Sequence, residues 1–134
     1  MIKLAPHSSL LIKSLFQSVT YGSGDFQGTE FTDTVSLGGG LTVTKQSIGV
    51  ASSSDGFQGV DGILGIGPVD LTQGTLSPAT NTLIPTITDN LFSQGVISAH
   101  SIGISFNPTT QEEVVNGEIT WGEYHLPLIC CSSY

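Results

Sequence analysis

Four groups of residues in this chain could do chemistry. The glycine-rich run from Tyr21 through Gly22, Ser23 and Gly24 to Gly28 could cradle a phosphate, but only if it opened a helix whose N-terminus faced the anion. The residues after it alternate as a strand, so the run reads as a hairpin tip, with glycine supplying positive φ at the turn. His7, His100 and His125 could each act as a base, yet they are scattered, and no Gly-x-Ser-x-Gly elbow accompanies them. Surface or core-edge positions are expected for all three. Glu112 and Glu113 are sequence neighbours beside Thr109 and Thr110 and read as solvated loop, since an acid/base pair is placed by separate elements. Cys130 and Cys131 are adjacent and cannot close a loop together. With His125 they still lack the further ligands of a metal site. No metal and no cofactor is expected.

The elements that would position these groups are mostly strands. Residues 25–37 place Phe26, Phe31, Val35 and Leu37 among polar residues, with a slip near Gly28 that suits a bulge. Gly38, Gly39 and Gly40 break the run, and the pattern resumes from Leu41 and Val43, which predicts a hairpin. Residues 59–68, with Val60, Ile63, Leu64 and Ile66 between turn signals, read as a short strand buried on both faces. One helix is predicted from about Pro85 to Gln94, with Ile87 and Leu91 on one face and Gly95 ending it. Strands follow at 101–106 and 117–121. Many strands and one or two short helices make a mainly β domain.

Composition excludes several functions. The 134 residues hold 10% charged residues, 11 acids against 3 bases and a net charge of -8. Lys3, Lys13 and Lys45 cannot build the basic patch that nucleic acid or an anionic membrane requires. No apolar run approaches the roughly 20 residues of a membrane span. With 38% apolar residues and 17 glycines, the chain has the composition of a globular domain. The first sixteen residues, interrupted by Lys13, make a poor signal peptide.

One ordered series is more specific. Tyr21-Gly22-Ser23-Gly24, a hairpin, Gln46 to Ser52, Phe57, and Val60-Asp61-Gly62-Ile63-Leu64-Gly65-Ile66-Gly67 occur in that order. They are followed by Ile84-Pro85-Thr86, Asp89-Asn90-Leu91-Phe92 and Asn116 to Gly122. Over residues 18–122 this series resembles the N-terminal lobe of the pepsin-like aspartic endopeptidases, in particular their secreted fungal members.

The resemblance implies bent sheets with a flap hairpin closing over bound peptide. Tyr21 would lend its ring to the pocket beside the scissile bond, and Gly22 and Ser23 would offer backbone groups to the peptide. Val60 and Ile63 would lie near the substrate pocket, and Asp61 would be structural. It also implies an extracellular protein, and a polypeptide substrate or peptide ligand as partner.

Family members cleave with two aspartates, each in an Asp-[Thr/Ser]-Gly loop. Here Asp33-Thr34 is followed by Val35, and Asp61 by Gly62 directly. No catalytic residue is therefore assigned. Residues 1–17 and 123–134 do not continue the series, which leads us to expect a truncated lobe without activity, whose partner would be the missing remainder of the protease. A non-catalytic module that binds peptide without cutting it is the alternative. A chain that depends on chaperones, its sheet edges exposed, is a third possibility.

Overall fold

The computed structural model describes residues 3–4, 10–112 and 114–123. Its larger sheet contains β1 (Lys3–Leu4), β2 (Leu10–Tyr21), β3 (Gly24–Gly38), β4 (Leu41–Asp55) and β5 (Leu76–Ser77). Here β3 pairs with β1, β2 and β4, and β2 also pairs with β5, all antiparallel. A 3-10 turn at Val69–Thr72 precedes β5, and α1 (Ile87–Ser93), the single α-helix among the described residues, follows it. The strands β6 (Ile102–Phe106) and β7 (Gly117–Trp121) form a separate antiparallel pair. The mainly β architecture matches the sequence reading, and β-structure starts before the alternating run at residues 25–37. Leu10 and Leu11 already pair with Thr32 and Phe31.

The β3–β4 hairpin turns where three glycines stand. Gly38 pairs with Leu41, leaving Gly39 and Gly40 at the tip with φ of 59° and 87°. Positive φ at both central residues is what a two-residue turn matched to the strand twist demands. The slip predicted near Gly28 is a register shift between Gln27 and Gly28. Glycine is required there because a Cβ would run into the Val50 carbonyl of the neighbouring strand.

The hydrophobic core forms between the turn end of this hairpin and α1. Val35 and Val43 face each other across β3 and β4 and bury against Ile87, Leu91 and Ile97, with Trp121 packed at the margin. Two glutamines stitch the same contact. Gln94 beyond the helix accepts from the Thr44 amide at 3.0 Å and donates to the Thr44 carbonyl at 2.9 Å, so its carboxamide pairs with β4 as a strand residue would. Gln46 donates to the Pro85 carbonyl and accepts from Asn90, which satisfies both ends of a buried amide.

The helix is shorter than the predicted span. Thr86 is extended (φ -71°, ψ 171°) and caps it, its hydroxyl accepting from the Asp89 amide while the Asp89 carboxylate accepts from the Thr86 amide. This reciprocal capping box leaves Pro85 outside the helix. Thr86→Ala is expected to lower unfolding free energy by about 1 kcal/mol, read from the urea midpoint at constant slope.

Residues 59–68 depart from the sequence reading. They form no strand, and Val60, Ile63, Leu64 and Ile66 are exposed, Val60 by 59% and Ile63 by 53%. A run of this kind becomes a two-sided buried strand only where neighbouring strands flank and cover it. Among the described residues no strand pairs with it.

Candidate functional site

The tip of the β2–β3 hairpin carries the residues singled out by sequence. Thr20 pairs with Asp25 and Tyr21 with Gly24, so Gly22 and Ser23 form a two-residue turn. Neither Gly22 nor Gly24 lies in the left-handed region, so the expectation of positive φ here does not hold. The need at Gly24 is space. A Cβ there would strike the Asp55 carbonyl and crowd Gly56, because the end of β4 passes directly alongside.

That close approach builds the site. Phe57 follows β4 and meets the Tyr21 ring edge-on, with centroids 5.6 Å apart and planes at 89°. An edge-to-face aromatic pair places the positive ring edge against the negative face. Tyr21 stays 39% exposed, so the rings brace each other while the tyrosine keeps a surface for contact. The Val60 amide donates to the Phe57 carbonyl at 3.5 Å, which ties Val60 to the same corner. Ile63, three residues on, is exposed, and among the described residues no hydrogen bond or ring contact joins it to the hairpin. The structure thus brings together Tyr21, Gly22, Ser23 and, through Phe57, Val60. It leaves Ile63 apart. Phe57 was legible only as a member of the ordered series, and its bracing role needed the fold to be seen.

The carboxylates are placed elsewhere. Asp33 lies inside β3, where its Oδ1 accepts from the Thr34 amide at 2.7 Å while Val35 enters the core. Asp61 is on the exposed 59–68 segment. Among the described residues no cluster of three or more His, Cys, Asp or Glu could hold a metal ion. His7, His125, Cys130, Cys131 and Glu113 lie outside the described residues. His100 is half-exposed and paired with Asp89, a contact that sequence spacing did not reveal.

A mainly β chain with a glycine-bearing hairpin tip, its tyrosine braced from the following segment, matches part of the pepsin-like aspartic proteinase fold. The family model for eukaryotic aspartyl proteases matches residues 7–127, and the chain belongs to that family. It is 69% identical to polyporopepsin of Irpex lacteus over 105 residues, which is 78% of this chain and 31% of that protein. Rhizopuspepsin-1 of Rhizopus niveus is 36% identical over 113 residues, 80% of this chain and 26% of its own length. The crystal structure of the aspartic proteinase from Irpex lacteus superposes with a TM-score of 0.81 at 58% identity, covering 90% of this chain and 37% of that one. The chain therefore spans about a third or less of the relatives it matches.

Proposed function

We propose that residues 18–122 form the flap-bearing part of the N-terminal lobe of an extracellular aspartic endopeptidase. In this reading an extended polypeptide lies beneath the β2–β3 hairpin. Tyr21 contributes its ring, Gly22 and Ser23 contribute backbone hydrogen-bonding groups, and the exposed Val60 and Ile63 contribute apolar surface. The remainder of the enzyme is the partner that supplies both catalytic loops and covers the 59–68 segment. The observation that carries the reading is the Tyr21–Phe57 brace at a glycine-limited hairpin tip, in a chain of this family. A hairpin braced at one side and open at the other suits a lid over a substrate.

A chimaera of the Irpex lacteus enzyme that carries residues 18–122 in place of its own matching segment tests this. It is expected to keep acid proteolysis, and Tyr21→Ala within it to lower kcat/KM by on the order of 10²-fold. A folded but inactive chimaera would overturn the proposal.

The absence of an Asp-[Thr/Ser]-Gly loop favours a second reading, a module that binds peptide without cutting it. Main-chain pairing with an extended peptide needs no catalytic aspartate. Binding of an extended peptide by the chain alone, weakened by Tyr21→Ala, would support it, and no binding would dismiss it.

A further inference from the structure

We propose that protonated His100 and ionised Asp89 form a latch that fastens the first turn of α1 to the start of the β6–β7 pair in acid and slackens toward neutral pH. The imidazole Nε2 stands 2.7 Å from Asp89 Oδ1. The other carboxylate oxygen, Oδ2, accepts from the Thr86 amide at 2.8 Å and the Thr86 hydroxyl at 3.0 Å. One carboxylate thus serves the helix cap and the histidine together, and charge-assisted bonds of this kind are the stronger ones. Phe92 lies nearly parallel to the imidazole, centroids 5.3 Å apart and planes 11° off. His100 is held between a carboxylate and an aromatic face.

The pair sits at a cleft of about 360 Å³ between residues 66–68, the start of α1, and Ser101 and Ile102. Of the residues lining that cleft, Asp89 and His100 are the two that titrate. The hydroxyls of Thr88 and Ser101, buried in its walls, have no hydrogen-bond partner and so add no polar link across it. The link matters because β6 and β7 share no strand with the larger sheet. A two-stranded pair is marginal unless it is docked. Here the docking runs through Trp121 at the core, the Ser98 hydroxyl donating to the Gly122 carbonyl at 3.4 Å, and the latch.

Partial burial pushes the Asp89 carboxyl up, but the Thr86 amide and hydroxyl and the hydrogen bond and charge of His100 outweigh it and hold the group below its usual value. A carboxyl lowered by folding contributes stability that is present above its unfolded-chain value and lost as pH falls through the lowered one. The bond to Asp89 is charge-assisted only while the imidazole carries its second proton, so losing that proton slackens the contact.

Melting midpoints of the full chain at about pH 5 and pH 8 read the latch. His100→Phe keeps a flat ring on Phe92 and removes the charge. It is expected to lower the midpoint by about 3 °C at the acid pH and by less than about 1 °C at the higher one. Added to Asp89→Asn it should lower the midpoint no further. In the unsubstituted chain, the Thr86 and Gly122 amides should exchange more slowly at the acid pH once intrinsic rates are corrected. An equal loss at both pH values, or equal protection of both amides, would mean that His100 only packs on Phe92 and would overturn the latch. None of these outcomes depends on whether the chain takes part in proteolysis.

Discussion

Incubated alone with a denatured protein between about pH 3 and 5, the 134-residue chain is expected to release no more peptide than buffer does. The chemistry of the family requires two carboxylates close enough to share one proton, so that one remains protonated while the other activates water. Each must sit in a turn tight enough to aim it, which is why glycine follows the Thr or Ser of its loop. The aspartates of this chain are Asp25, Asp33, Asp55, Asp61, Asp70 and Asp89, and none precedes a Thr or Ser followed by glycine. The nearest approach, Asp33-Thr34-Val35, is committed to a strand whose valine is buried. Cleavage by the purified chain that pepstatin blocks would sink this expectation, because it would require a carboxylate pair from residues assigned no such role.

The largest effect on stability is expected from Leu91→Ala. Leu91 is fully buried, and it joins α1 to the Val35–Val43 pair and Ile97. Truncation removes transfer free energy and leaves a cavity that the surrounding strands can close only in part, for a loss of about 3–4 kcal/mol. That is a large share of the roughly 5–15 kcal/mol that hold an ordinary domain folded. Equilibrium urea unfolding at a fixed pH measures it. Leu71→Ala, at a residue 75% exposed, serves as the control and is expected to change stability by less than about 0.5 kcal/mol. Similar losses at both positions would mean that the core is not centred on α1.

Much of the fold was legible where the signal is local. Alternation around Phe26, Phe31 and Val35, broken by Gly38 to Gly40 and resumed at Leu41, marked a hairpin that the structure contains with the expected slip at Gly28. The strands at 101–106 and 117–121 were equally legible, because each is a short β-rich run bounded by turn residues. The helix was found with its ends misplaced. Pro85 suits a first turn in general, but here Thr86 and Asp89 satisfy each other's backbone groups and set the start two residues later, at Ile87.

The candidate site was legible in part. Tyr21, Gly22 and Ser23 stand at a hairpin tip as their types suggested, although the glycine beside them serves a close approach and not a left-handed turn. Val60 joins that corner through Phe57, whereas Ile63 does not.

What the sequence by itself determined were the properties carried by neighbouring residues: the strand periods, the glycine turns, the acidic balance, the ordered family series and the absence of a catalytic loop. Tertiary structure alone decided which surfaces meet. Whether the apolar residues 60–66 are buried depends on a flanking strand, and local pattern cannot supply one. The Tyr21–Phe57 brace spans 36 positions and Asp89–His100 spans 11 positions around the end of a helix. Neither pair lies within one helix or strand, so only the packing of α1, β4 and the hairpin tip could bring those side chains together.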